Sequence, residues 1–257
     1  MTKAHLQTTG LDIRVAGRTL VHQLELEISG GSFVCVLGTN GAGKTLTLHT
    51  LAGLRDAPGE IYLNGDNVAD LSRLNIARRL GLLLQIHEDA FPVSVMDSTL
   101  LGRFPHLGLM QWPGRDDREA VRDALRRCDL SGFEDRLLAT LSGGERERVA
   151  LATLMAQDPD IWLLDEPMNH LDPHHQIAVL EELAAVAAAG RLVISTVHNP
   201  ALAMRYADHA LLLYGDGNWE YGPTGDMLEP ERLERMYRTP FNYYTAENDA
   251  RTVLLPS

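Results

Sequence analysis

Three things are scarce in this sequence of 257 residues: cysteine, long apolar runs and positive charge. Only Cys35 and Cys128 occur, far apart and without C-x-x-C spacing, so neither a disulfide framework nor a cysteine-ligated metal is indicated, and both read as core thiols. The ten histidines include no H-E-x-x-H or comparable ligand spacing, which leaves no transition-metal site to assign. No apolar stretch approaches the length that crosses a bilayer, and residues 1–7 lack the apolar core of a secretion signal, so the chain reads as cytosolic and soluble. Lys and Arg number 23 against 35 Asp and Glu, a net charge of -12, and no general electrostatic footprint for nucleic acid is present. Internal repeats and low-complexity linkers are missing too.

What is present is a hydrophobic content of 45%, enough to bury the core of one large domain or of a domain carrying an insertion. Alternation at Leu11, Ile13 and Val15, a turn at Gly17-Arg18, then Leu24, Leu26 and Ile28 predict antiparallel strands. Residues 33–37, 61–63 and 80–84 read as further strands, the last ending at Gln85. Over 86–156 helical patterning takes over, clearest where Ala120, Val121, Ala124, Leu125 and Cys128 form one apolar stripe. Strand and helix then alternate: a strand at 161–164, a helix from Pro173 ended by Gly190, a strand at 192–197, a helix from Pro200, a strand at 211–213 and a late helix at 231–237. The pattern predicts an α/β fold, with a mostly parallel sheet formed by 1–85 and 157–257, an antiparallel N-terminal part, and 86–156 as an inserted helical subdomain. The tail after Tyr237 carries no motif and is expected to pack on the core.

The chemistry begins at Gly38-Thr39-Asn40-Gly41-Ala42-Gly43-Lys44-Thr45, which satisfies G-x-x-x-x-G-K-[ST] between a strand and a helix. Glycines let successive backbone N–H groups turn inward on a polyphosphate, and the helix that follows aims its positive end there. Lys44 adds a point charge at the outer phosphates, and Thr45 a hydroxyl for Mg²⁺. The apolar strand at 161–164 delivers Asp165 and Glu166 at its C-terminal end, where open parallel sheets place their ligands. Asp165 is suited to hold Mg²⁺ through its water shell, and Glu166 to polarise the water that attacks the γ-phosphate.

Leu141-Ser142-Gly143-Gly144-Glu145 stands just before a helix and offers a second anion site from Ser142 and the Gly143 and Gly144 N–H groups. With this pentapeptide the chain resembles the ATP-binding-cassette ATPases along nearly its whole length. Gln85 matches that family's Q-loop, Asn169-His170-Leu171-Asp172 its D-loop, and His198 its switch histidine. The resemblance implies ATP as substrate with Mg²⁺, Gln85 beside the metal and the catalytic groups, His198 on the γ-phosphate orienting water or Glu166, and Asp172 acting across an interface. It also implies that a second copy completes the site, with two chains sandwiching two nucleotides head to tail. One departure is Val15, where the family often places an aromatic residue that stacks on adenine; modest base discrimination is the expectation, with GTP hydrolysed alongside ATP.

Residues 95–106, Val-Met-Asp-Ser-Thr-Leu-Leu-Gly-Arg-Phe-Pro-His, together with His174-His175-Gln176 after the D-loop, are similar to the ATPases of metal-chelate importers, whose cargo is iron-siderophore, haem, cobalamin or molybdate. That resemblance implies an integral-membrane permease as partner, a periplasmic or surface substrate-binding protein beyond it, and a place on the inner face of the cell membrane. The alternative is a soluble cassette ATPase serving an assembly scaffold, as in iron-sulfur cluster building. Repair and translation members fit less well: the former interrupt the cassette with coiled coils or zinc modules, and the latter carry two cassettes in tandem.

Overall fold

The computed structural model describes residues 4–84, 92–108, 110–246 and 249–257. Two long antiparallel strands, β1 (His5–Val15) and β2 (Arg18–Ser29), open the chain, and positive φ values of 46° at Ala16 and 80° at Gly17 make the tight reversal between them. β3 (Ser32–Leu37) runs into the glycine-rich loop and α1 (Lys44–Leu51), after which β4 (Glu60–Leu63) and β5 (Asp66–Asn67) extend the first pair into an antiparallel sheet ordered β2-β1-β4-β5. α2 (Arg73–Arg79) leads to β6 (Leu80–Leu83). Three helices then precede the next strand: α3 (Val95–Leu100), α4 (Arg115–Arg127) and α5 (Gly143–Gln157), with a 3-10 turn at Leu101–His106 between the first two.

The second half alternates: β7 (Ile161–Leu164), α6 (Pro173–Ala188), β8 (Leu192–Thr196), α7 (Pro200–Tyr206), β9 (His209–Leu213) and β10 (Trp219–Pro223). These strands join β3 and β6 in a six-stranded sheet ordered β10-β9-β3-β8-β7-β6, parallel throughout except for β10. The chain closes with α8 (Thr224–Met227), α9 (Pro230–Tyr237) and a hairpin of β11 (Phe241–Ala246) and β12 (Asp249–Pro256).

β3 shows why the large sheet is apolar on both faces. Phe33, Cys35 and Leu37 point into a core shared with α4, α5 and α6, while Val34 and Val36 point into a second core shared with the antiparallel sheet and α1. The helical stripe of α4 docks as its spacing predicts, with Val121, Ala124, Leu125 and Cys128 buried. Both cysteines are core thiols; burial pushes the Cys128 thiol up to about 12, and that of Cys35 higher still, which keeps them unreactive. α5 carries a misfit: Glu147 is 5% exposed, its Oε2 has no hydrogen-bond partner among the described residues, and burial pushes the carboxyl up to about 7.

Several sequence expectations shift. β1 is longer than its alternation predicts, and register shifts after Thr8, Leu11 and Ile13 break the period, so that Leu11, Asp12 and Ile13 are all buried and Val15 turns outward. β6 stops at Leu83, leaving Leu84 exposed, and Gln85 lies outside the described residues. The tail packs through Phe241 and Leu254, and it does so as a β-hairpin.

Candidate functional site

At the C-terminal end of β3 the chain enters the loop 38–43, and α1 begins immediately afterwards with Gly43 as its N-cap at φ 103°, a left-handed conformation that glycine adopts without strain. Among the described residues no side chain caps this helix, so its first N–H groups face into the loop. Lys44 is 6% exposed, and its Nζ donates to the Gly38 carbonyl at 2.8 Å and to that of Thr39 at 3.3 Å. Burial lowers its pKa, and the charges of Glu166 and Asp165 oppose that shift by favouring the ammonium. Thr39, Asn40, Gly41 and Thr45 are exposed at the mouth, while Gly38 and Ala42 are buried beneath it.

The neighbouring strands β7 and β8 deliver the acids and the histidine. Asp165 is 1% exposed and accepts from Thr196 Oγ1 at 3.1 Å, and the same Thr196 oxygen accepts from the Glu166 N–H at 2.6 Å. Thr196 thereby couples the ends of two parallel strands, fixing both carboxylate-bearing residues. Glu166 leaves the strand in left-handed backbone at φ 53°. Its Oε1 lies 2.8 Å from His198 Nε2, and its Oε2 accepts from Asn169 Nδ2. Partial burial works against the charged form, but the hydrogen bonds from Asn169 and His198 and the charges of His198 and Lys44 outweigh it and hold the Glu166 carboxyl below its usual range. Lys44, Thr45, Asp165, Glu166 and His198 thus converge on one mouth at the carboxyl edge of the parallel sheet.

A different construction surrounds 141–145. Ser142 caps α5: Glu145 N–H donates to Ser142 Oγ at 3.3 Å, and Ser142 N–H donates back to Glu145 Oε2 at 2.7 Å, a reciprocal capping box. The bond from the Ser142 N–H holds the Glu145 carboxyl below its ordinary range. Leu141 is a buried anchor, whereas Ser142 and Gly143 are exposed. Asp172 caps α6 in the same manner, accepting from the His175 N–H at 3.0 Å and lying 2.9 Å from His175 Nδ1. Ser142, Gly143, Glu145, His170, Asp172 and His175 line one open depression of about 480 Å³. Among the described residues, no hydrogen bond or ion pair joins this depression to the mouth around Lys44.

Val15 stands at the end of β1, 42% exposed and opposite Arg18, whose guanidinium donates to the Gly215 carbonyl at 3.2 Å. Two residues of the first mouth escaped sequence reasoning. Thr196 falls within the strand expected at 192–197, where a hydroxyl at the strand end two positions before His198 is a usable signal, and Asn169 enters the sequence reading only as part of the D-loop.

The chemistry present fits a triphosphate with Mg²⁺: inward-facing N–H groups and a lysine for the phosphates, and an exposed hydroxyl and a buried carboxylate for a hard cation. Known proteins similar to this chain are ATP-binding subunits of transporters. A family model described as ABC transporter matches residues 21–169. The hemin import ATP-binding protein HmuV of Streptomyces coelicolor is 34% identical over 252 residues, covering 96% of this chain and 88% of that protein. The ferric enterobactin transport ATP-binding protein FepC of Escherichia coli is 33% identical over 236 residues, covering 91% and 87%. Among solved structures, a metal-chelate type ABC transporter in an inward-facing conformation superimposes with a TM-score of 0.86 at 26% identity, covering 99% of this chain and 98% of that one.

Proposed function

The chain belongs to the ABC transporter family, and from that premise we propose that it is the ATP-hydrolysing subunit of an importer that takes up a metal chelate of the iron-siderophore, haem or cobalamin class. The observation that carries the catalytic half of this reading is Glu166, held ionised between His198 and Asn169 beside the phosphate loop. The loop 38–43 and Lys44 bind the phosphates. Mg²⁺, when bound, withdraws charge from the phosphate oxygens, and Thr45 and Asp165 would hold it, with Gln85 from the Q-loop. Glu166 accepts hydrogen bonding from the attacking water, and His198 both fixes the carboxylate and faces the γ-phosphate.

Ser142, Gly143 and Gly144 form the second anion site, and Asp172 stands beside it. In this reading they serve the nucleotide bound to a second copy, so that ATP closes a head-to-tail pair and hydrolysis reopens it. The segment 86–156 is the helical subdomain, and the apolar groove lined by Leu82, Leu84, Leu101, Leu138, Val149 and Ala150 receives a cytoplasmic helix of a permease. No helix among the described residues is long and apolar enough to cross a membrane, so the membrane path belongs to the partner. The chain then sits peripherally on the inner face of the membrane, and a substrate-binding protein delivers the chelate from outside.

Isolation of the chain from its native host tests the reading against the assembly-scaffold alternative. A polytopic membrane protein is expected to co-purify, and vesicles carrying both are expected to accumulate an iron chelate only with ATP inside the compartment that faces this subunit. Co-purification with a soluble scaffold alone would overturn the transport reading while leaving the ATPase intact.

A further inference from the structure

One residue of the open depression has no part in the reading above, although it touches both halves of that depression. Both oxygens of Asp172 are engaged by His175: Oδ1 accepts from its N–H at 3.0 Å, and Oδ2 lies 2.9 Å from its Nδ1. Those two bonds hold the Asp172 carboxyl below its ordinary range, so it stays an anion at physiological pH. An ionised carboxylate only accepts, so Nδ1 of His175 carries a proton and that bond fixes the ring.

The far edge of the same ring meets the helical subdomain. His175 Nε2 lies 3.9 Å from Asp129 Oδ2, on a residue in left-handed backbone at φ 54° just past α4. Arg148 of α5 grips this turn, its Nη1 donating to the Cys128 and Asp129 carbonyls at 3.3 and 3.0 Å and to the Asp129 carboxylate at 3.3 Å. α5 is the helix that begins at Ser142. The backbone closes a second contact between the same two parts. A Cβ on Gly144 would stand 3.1 Å from the His170 carbonyl oxygen, so the segment leading to Asp172 lies directly on the glycines that follow Ser142. Arg148, Asp129, His175 and Asp172 thus form one line of contacts from the helix behind the anion site to the acid beside it.

We propose that His175 is a positioning residue for the composite site, holding Asp172 and the Ser142 helix at one spacing so that a chain presents both together to the triphosphate of its twin. The inference rests on the reading in which a second copy completes each site, and it adds the residue that sets the geometry of the presented half. The side chain of Asp129 is 88% exposed and that of His175 26%, and ion pairs so open to water add little to stability. What the line of contacts contributes is alignment.

His175→Ala is expected to lower kcat about tenfold, with the ATP Kd within about twofold and an unchanged Tm. His175→Asn places an amide donor near the position of Nδ1 and keeps the bond to Asp172, so its kcat should return to within about threefold of wild type. Mixed in equal amounts with Lys44→Ala, His175→Ala should gain activity over either alone, because the Lys44→Ala chain presents an intact His175 to its partner's phosphate loop. A wild-type kcat in His175→Ala, an ATP Kd that rises tenfold with it, a His175→Asn chain no better than His175→Ala, or a mixture no more active than its components would each overturn the proposal. Should a mixture of Lys44→Ala with Ser142→Arg also fail to gain, the shared site itself is lost, and this inference with it.

Discussion

The mouth around Lys44 and the depression around Ser142 both begin from the same device, backbone N–H groups at a helix start, and they differ in what completes it. In the first, Lys44 and Asp165 are buried, Thr196 ties two strands together, and Glu166 has partners on both oxygens. In the second, Ser142 and Gly143 face solvent, and the side chains of Ser142, Glu145 and Asp172 spend their hydrogen bonds capping their own helices. A region that holds its polar groups in fixed bonds is ready for chemistry, while one that merely caps itself is ready for docking. This contrast is the physical reason for reading the open depression as half of a site that another copy completes.

Four experiments break or sharpen the contrast, in descending order of expected effect. Glu166→Gln keeps the shape of the first mouth and removes its charge, so turnover should fall by about 10²- to 10⁴-fold while an ATP-loaded pair persists on gel filtration. Wild-type turnover would remove Glu166 from the mechanism.

Glu147, a buried acid of the helix that Ser142 caps, comes next. It holds its proton to about pH 7 when folded but only to the ordinary carboxylate value of 4.5 when unfolded. Between those values the folded state binds the extra proton, so stability falls as pH rises from 4.5 to about 7 and stays low above, a loss of about 3 kcal/mol. Glu147→Gln should abolish that slope, as seen in urea midpoints at pH 5 and pH 8; equal slopes in both proteins would mean that the carboxyl is not kept neutral by its surroundings.

Lys44→Ala should weaken ATP binding by about tenfold, whereas Ser142→Arg should leave binding by a single chain intact and slow turnover by a similar factor. Mixed in equal amounts, the two variants should recover activity above either alone, since one sound composite site forms. A mixture no more active than its components would count against a shared site.

The smallest effect is at Val15. Val15→Tyr should tighten ATP about threefold by stacking on the base and raise its advantage over GTP, as nucleotide competition would read. A wild type that strictly rejects GTP would show that base selection lies elsewhere.

Much of this was legible beforehand because short-range patterns carry it. The loop 38–45 needs its glycines and lysine in a fixed order, and the strand ending in Asp165-Glu166 is uniformly apolar up to its acids. The signature run Leu141–Glu145 was visible as a motif standing just before a helix, although the cap it forms was not. What escaped depends on contacts distant in sequence. Thr196 matters because β8 lies beside β7, and that adjacency leaves no mark on local spacing. The outward turn of Val15 escaped because register shifts defeat a strict period of two.

Asp172 follows Glu166 by six positions, and within that span both Glu166 and His170 adopt left-handed backbone, at φ 53° and 61°. Two such residues in so short a reversal leave few soft torsions to absorb movement. In the proposed pair, the segment that carries one protomer's water-handling acid also carries the acid presented to its twin, so a shift at either end is transmitted as by a rigid crank. Kinetic constants then describe the couple and not the individual: an assembly with one damaged member should run at a rate other than half.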